Sequence, residues 1–425
     1  MSTRRVALIT SSYAPHVGGV ETHVAEVARA LTAQGILVEV WAVDRGARAG
    51  DAGVEPAHAD EFPVRYLPTP LPARHAASLA RFAWRAPGAW SQWTRAHRRF
   101  RPDELHVHCF GPNGLYALAL HRRFRTPLVV TSHGETTGDD DNVFAQSALL
   151  RRGLRDALAR AAAVTAPSEY VLRDLRARFG LNGGVVVPNG VALDVPQDDG
   201  IRDRLPHGPY LAAVGRLGRM KGFDLLLDAF ARVREGEGAA GAADPAGAAA
   251  GPTPARGEEP AREASPARAA GPAGAEARLV IAGDGPERAA LQEQVTARGL
   301  EGVVYFLGWC SPAQVATVLA GSETLVVPSR SEAFGIAALE AWRAATALVM
   351  TNRGGAGEFV RDGEDGILVD PEDVDALAAA IARVLADPPL RARLATAGAG
   401  RVAEFTWERV VERYLQVYAQ AEAVG

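Results

Sequence analysis

The sequence predicts an α/β protein made of two doubly wound parallel sheets, and three observations carry that reading. Short apolar runs alternate with amphipathic helical stretches, the alternation restarts midway, and 425 residues exceed what one hydrophobic core supports. In the first series a strand at residues 5–9 leads through a glycine loop into a helix near 21–34, closed by Gly35. Further strands follow at residues 37–43, 106–109, 128–132, 163–166 and 185–188. The second series starts with a strand at 210–214, a glycine loop and a helix at 223–234. It continues with strands at 278–282, 303–306, 324–327, 348–351 and 366–369. The expected organisation is a first domain at 1–195, a second at 196–406, and a helix at 407–425 that returns to the first domain.

Residues 235–276 interrupt the second series with six prolines and no Val, Ile, Leu or aromatic residue. Such a stretch buries too little apolar surface to offset its ordering entropy, so a disordered surface insertion is expected.

Composition excludes several function classes. Apolar residues at 48% and charged residues at 23% fit a globular protein, and a net charge of −4 gives no footprint for nucleic acid. Only Cys109 and Cys310 are cysteines, which leaves no disulfide framework or cysteine-rich metal site and fits a reducing cytosol. The apolar run at residues 6–9 is too short for a signal peptide, and no stretch approaches the ~18 apolar residues of a membrane span. A cytoplasmic protein is expected. Of 46 lysine and arginine residues only Lys221 is lysine, which points to a position where a compact ammonium serves better than a planar guanidinium.

Two segments carry chemistry. Residues 215–230 follow a strand and open a helix; Arg216 and Lys221 flank a turn containing Gly215, Gly218 and Gly222. Glycines let a backbone approach phosphate, and two cations can neutralise a diphosphate leaving group. Residues 329–341 also follow a strand and open a helix, with Glu332 before the helix and Glu340 inside it. The helix start at Phe334, Gly335 and Ile336 offers N–H groups and a positive dipole end to an anion. Carboxylates beside such a site suit the hydroxyl donors of sugar and ribose.

These segments complete an ordered motif set: Gly-Gly-Val-Glu (18–21), Thr-Ser-His-Gly (131–134), Pro-Asn-Gly-Val (188–191), Gly-Arg-Leu…Lys-Gly (215–222), Gly-Asp-Gly-Pro (283–286), Glu-x7-Glu (332–340) and Gly-Gly-x-x-Glu (354–358). The set resembles the family 4 retaining glycosyltransferases of GT-B fold over nearly the whole chain outside the insertion. The resemblance implies that Arg216 and Lys221 bind the donor diphosphate, Glu340 the ribose and Glu332 the transferred sugar. It implies backbone contacts from Gly215, Phe334, Gly335 and Ile336, approach of Gly19 to phosphate, and contact of His133 with the sugar near its 6-position. Gly308, Trp309 and Cys310 would face the base, and Asn189 is a further donor-side residue. It also implies front-face attack with retention, because no motif supplies a nucleophilic carboxylate. The co-substrate is a nucleotide-diphosphate sugar, and neither a metal nor another cofactor is expected.

Other features have plainer readings. After Glu340, Trp342, Arg343, Ala345 and Ala347 replace small residues, Gly and Pro usual in the family, which implies local repacking and leaves donor preference open. Residues 81–101 interleave Trp84, Trp90 and Trp93 with six arginines; Pro87–Gly88 breaks the helical period, and a surface helix with buried tryptophans is expected rather than membrane contact. His106 and His108 share a strand face, but without further ligands a zinc pair is rejected. Gly18, Glu21, Glu135, Asp139, Asp140 and Asp141 are acceptor-side residues. Their carboxylates should favour a polyhydroxylated or cationic acceptor over a phosphorylated one. The rival readings are a nucleotide-sugar epimerase of the same architecture, a non-catalytic nucleotide-sugar binder, and a branch with a sulfur or nitrogen acceptor.

Replacing residues 235–276 with a short linker should leave folding and donor binding intact, since the segment has no apolar anchors and each doubling of loop length costs only ~0.6 kcal/mol. A melting temperature within a few degrees of the full chain is expected; a large fall would show that the insertion packs.

Overall fold

The computed structural model describes residues 3–14, 18–44, 62–72, 76–137, 143–236 and 276–424. Asp139, Asp140 and Asp141 lie outside the described residues, as does nearly all of the 235–276 insertion; Glu235 ends a helix and Gly236 caps it.

The first sheet contains seven parallel strands: β1 (Arg5–Thr10), β2 (Leu37–Val43), β3 (Val64–Leu67), β4 (Glu104–His108), β5 (Leu128–Thr131), β6 (Ala163–Ala166) and β7 (Val185–Val186). Its helices are α1 (Gly19–Ala33), α2 (Ala76–Phe100), α3 (Pro112–Phe124), α4 (Val143–Gln146), α5 (Ala148–Arg160) and α6 (Glu169–Phe179). The second sheet contains six: β8 (Tyr210–Val214), β9 (Arg278–Ala282), β10 (Val304–Gly308), β11 (Thr324–Val327), β12 (Ala347–Thr351) and β13 (Ile367–Val369). Its helices are α7 (Phe223–Glu235), α8 (Arg288–Ala297), α9 (Pro312–Ala320), α10 (Ile336–Arg343), α11 (Val374–Ala386) and α12 (Pro388–Arg401), and α13 (Trp407–Val424) ends the chain.

Strand order is β3-β2-β1-β4-β5-β6-β7 in one sheet and β10-β9-β8-β11-β12-β13 in the other. Each order reverses once, between β1 and β4 and between β8 and β11. Loops leaving the carboxyl ends of those pairs diverge to opposite faces and open a crevice. β1 is central, in register with β2 from Arg5↔Leu37 to Thr10↔Ala42 and with β4 from Val6↔Glu104 to Thr10↔His108.

Alternation along the strands divides each sheet's core in two. Ala7 and Ile9 pack with residues of α2, α3, α5 and α6, whereas Val6 and Leu8 pack with α1 and α13. In the second sheet Leu211 and Ala213 face α7, α8 and α11; Tyr210 and Ala212 face α9 and α10. The terminal helix thus belongs to the first sheet's core, through Trp407, Val410, Val411, Tyr414, Val417 and Tyr418.

The structure differs from sequence expectation at three places. β3 follows Pro63 and is only four residues long, too short to register as a periodic run. α2 continues through Pro87, so the 87–88 pair does not break it; proline deletes one backbone donor, and flanking packing holds the helix together. Of its tryptophans, Trp93 is fully buried and donates Nε1–H to the Pro68 carbonyl at 2.9 Å, but Trp84 is 81% exposed.

Repacking is visible after Glu340. Trp342 is buried against Phe359 and Phe405 and donates Nε1–H to the Asp365 carbonyl at 2.9 Å. Gly398 makes room for it, since a Cβ there would fall 2.2 Å from the indole Cδ1. Ala345 closes α10 at φ +51°, with its N–H on Trp342 O and that of Thr346 on Ala341 O. This left-handed helix ending is normally given to glycine. Ala345→Gly should therefore raise stability by about 0.5–1 kcal/mol: relief of the Cβ clash, about 1–2 kcal/mol, outweighs the added unfolded-chain entropy. Chemical denaturation measures it, and an unchanged or lower midpoint would refute the strain.

Candidate active site

Backbone crossings, before any side chain, shape the second-domain crevice. Gly283, at φ +156°, lies where a Cβ would sit 1.8 Å from Gly215 O, and Gly283 N–H donates to Gly308 O at 2.8 Å. The ends of β8, β9 and β10 are thereby drawn together, with Trp309 43% exposed at the rim. Gly222, at φ +67°, starts α7 against the Pro328 carbonyl, where a Cβ would sit at 2.0 Å. Gly354, at φ +112°, crosses Glu332 O where a Cβ would sit at 2.1 Å. No residue but glycine fits these crossings without moving a backbone.

The loops after β8 and β11 meet through charge. Lys221 Nζ donates to Glu332 Oε2 at 2.6 Å, and the same oxygen accepts from Ser329 Oγ at 2.9 Å. Arg330, which sequence reading passed over, binds Asp224 through two nitrogens at 2.7 and 2.6 Å and donates to Arg219 O at 2.7 Å. Burial acts to raise the Asp224 carboxyl, and Arg330 more than offsets this, leaving it below its ordinary value. Arg216, in the same loop after β8 as Lys221, is exposed. Gly335, at φ +102°, precedes α10, whose first N–H groups open beside Glu332. The Phe334 ring is buried on Phe359 at 4.3 Å between centroids, so only its backbone remains for a ligand. Burial raises the Glu340 carboxyl, opposed by Arg343. A partly exposed ion pair such as Lys221–Glu332 contributes no more than about 1 kcal/mol to stability; what it does is hold an ammonium and a carboxylate at the mouth of two helices.

The first domain faces this junction with the loops after β1, β4 and β5. Gly19 begins α1 with its virtual Cβ position 4.0 Å from Ile336 Cδ1, so glycine loop and α10 meet. Gly18 precedes the helix in extended backbone, and Glu21 folds back over it, with Oε2 2.7 Å from where a Gly18 Cβ would be. His133 Nε2 lies 3.2 Å from His108 Nδ1, and the His133 ring is 4.7 Å from that of His23. Burial lowers His23 to about 4, against its hydrogen bond to Asn189, and lowers His106 to about 3, helped by His23. His108 and His133 fall well below the ordinary value for the same first reason, so the cluster is neutral.

Two predicted contacts are used internally. Asn189 Oδ1 pairs with His23 Nδ1 at 2.9 Å and so orients that ring. Glu135 accepts from Phe110 N at 2.9 Å, Ser132 Oγ at 2.8 Å and His133 N at 2.7 Å; burial raises its carboxyl and these bonds oppose it. Glu135 therefore fixes the His133 loop and is not an acceptor-facing charge. Neither pairing is visible in sequence, where the partners stand 166 and 25 positions away.

The domains are clasped at one edge of the cleft. Glu358, part of the Gly-Gly-x-x-Glu motif, accepts from Glu169 N at 2.6 Å and Tyr170 N at 2.7 Å and so caps α6 of the other domain. Ser168 Oγ donates to Ala333 O at 2.6 Å, and Tyr170 Oη meets Ser331 Oγ at 3.1 Å. The clasp bears directly on the loop that carries Glu332. Glu358→Ala should lower kcat/KM at least ~10-fold with a melting temperature changed by only a few degrees, because it acts on approach of the domains. Wild-type kinetics in that variant would refute the clasp.

The chain matches the family described as Glycosyltransferase Family 4 over residues 17–195 and that described as Glycosyl transferases group 1 over residues 267–401. The D-inositol 3-phosphate glycosyltransferase of Geodermatophilus obscurus is 30% identical over 458 residues, covering 98% of this chain and 90% of that one. Sucrose-phosphate synthase from Thermosynechococcus elongatus has a TM-score of 0.74 at 23% identity, over 99% of this chain and 100% of that one. HepE from Anabaena, solved in complex with UDP and glucose, has a TM-score of 0.69 at 19% identity, over 97% of this chain and 99% of that one. At these identities the solved structures establish the fold, which is GT-B. With its paired crevices and its matches to both halves of the family pattern, the chain belongs to glycosyltransferase family 4 and is a nucleotide-sugar-dependent glycosyltransferase.

Proposed function

We propose that the chain moves a sugar from a nucleoside-diphosphate donor to a small polyhydroxylated acceptor, with retention at the anomeric carbon and without a metal. The observation that carries this reading is the Lys221–Glu332 contact at 2.6 Å, set beside exposed Arg216 and the start of α10. Donor diphosphate enters here and takes Lys221 from Glu332, leaving that carboxylate to accept from sugar hydroxyls. Positive charge from Arg216, Lys221 and the helix N–H groups stabilises the departing phosphate, which is the dominant catalytic contribution. The acceptor hydroxyl attacks on the face the phosphate leaves, and a phosphate oxygen takes its proton. His133 faces the sugar from the first domain, and Trp309 offers an exposed ring to the base.

The acceptor is a small polyol. The relative from Geodermatophilus obscurus is named for D-inositol 3-phosphate, which is of this class. With Glu135 engaged internally, the acidic wall expected from sequence loses one member, while Glu21 stays folded over the Gly18 loop. No helix among the described residues is long and apolar enough to cross a membrane. The cytoplasmic assignment rests instead on the sparse cysteine usage, which fits a reducing compartment.

Lys221→Ala or Arg216→Ala should lower turnover by at least ~10²-fold in folded protein. Lys221→Arg should also be impaired, because a planar fork cannot reproduce the single short contact to Glu332; wild-type turnover in Lys221→Arg would overturn this assignment. Activity should also survive EDTA, since cations of the chain itself meet the diphosphate. Loss in EDTA with recovery in Mg²⁺ or Mn²⁺ would reject the metal-independent mechanism.

A further inference from the structure

Three histidines from separate segments converge at the switch point of the first sheet: His23 on α1, His108 at the end of β4 and His133 in the loop after β5. Each offers a ring nitrogen, and these atoms all lie within 4.8 Å of one another. A tetrahedral zinc ion with Zn–N bonds of about 2.0–2.1 Å places its ligand nitrogens about 3.3–3.4 Å apart. The His108 Nδ1 to His133 Nε2 separation of 3.2 Å already matches one such edge. His23 closes the remainder by a shift of about 1.5 Å or less at its ring.

Hydrogen bonds set the rings of the cluster. His23 is held at both nitrogens, by Asn189 Oδ1 at 2.9 Å and Tyr414 Oη at 3.0 Å. His106 is likewise held at both, by Tyr418 Oη at 2.6 Å and Thr131 Oγ1 at 2.7 Å, so it stands beside the set as support. His108 is fully buried, and the nitrogen it turns to the set is Nδ1, which faces His133 Nε2. Burial keeps all three rings neutral, with a lone pair to give. To ligate, His23 gives up one of its two partners, and the one it keeps orients the ring, as such partners do for metal-bound imidazoles. The loop of His133 lies against the donor loop of the second domain, where a Gly134 Cβ would sit 2.7 Å from Ala333 Cβ. His133 alone of the three is not fully buried, so the set is approached from its side.

We propose that His23, His108 and His133 form an inhibitory site for a borderline divalent transition ion, with zinc as its representative, at the floor of the cleft. Three imidazoles without a carboxylate select zinc or copper over magnesium or calcium, which require oxygen ligands. The ion draws His133 away from the sugar, and its fourth position opens toward the cleft. Only this inhibition rests on the glycosyltransferase reading; the binding site does not.

The test uses tag-free full-length protein stripped with EDTA. Calorimetry with Zn²⁺ should show one ion per chain, half-saturated at or below about 10 μM. Co²⁺ should give the intense visible absorption of a four-coordinate site. Sugar transfer should fall with the same midpoint and return on chelation, with Mg²⁺ at equal concentration having no effect. His108→Asn and, separately, His23→Gln should weaken Zn²⁺ binding at least ~10-fold, judged on whichever variant keeps its far-ultraviolet dichroism. Absence of stoichiometric uptake, or equal uptake by the folded variants, overturns the site. Uptake without loss of transfer overturns its inhibitory role. Clean zinc binding by a protein with no transferase activity would instead refute the proposed function and leave the site standing.

Discussion

The constraint on which the molecule depends is the reversal of strand order at β1/β4 and β8/β11. In a parallel sheet, adjacent crossovers on the same side crowd the strand ends, and only a reversal leaves a crevice there. Each of the motif segments singled out for chemistry in the second domain leaves one member of the β8/β11 pair. The Gly18–Gly19 loop and His108 leave the β1/β4 pair in the same way. Two sheets with one reversal each thus give two half-sites, and the clasp of Glu358 on α6 sets them face to face.

Within that frame, small residues and charge divide the work. Glycines at 222, 283 and 354 allow backbone segments to cross at distances no side chain tolerates. The charged groups are then placed by these crossings rather than by their own packing, which is why Lys221 and Glu332 meet although 111 positions separate them. Arg330 and Asp224 fasten the same two loops from outside. Ligand-facing charge and structural charge lie side by side.

The terminal helix shows how a site in one domain depends on distant chain. α13 packs on the first sheet and sends Tyr414 and Tyr418 to His23 and His106. Trp407 at its start covers Gly190, where a Cβ would sit 2.7 Å from the indole. The neutral histidine cluster under the cleft is therefore built from β4, α1 and the last helix together. In the second domain Trp342 of α10 fills the core against Phe359 and Phe405.

Periodicity in the sequence determined the strand–helix alternation and the restart at β8, because apolar spacing is a local property read residue by residue. Composition and motif spacing singled out Lys221, Arg216, Glu332 and the glycine turns, whereas the packing of the last helix on the first sheet was decided by tertiary contacts. Periodicity missed β3, which is too short to show a period, and the continuity of α2 through Pro87, which packing decides against local preference. Tertiary structure alone decided that Glu135 and Asn189 hold loops and a histidine, that Glu358 bridges domains, and that His108 gains His23 and His133 as neighbours. The reason is physical: a side chain's role depends on which partners folding brings within hydrogen-bonding reach, and those partners stand tens to hundreds of positions away in sequence.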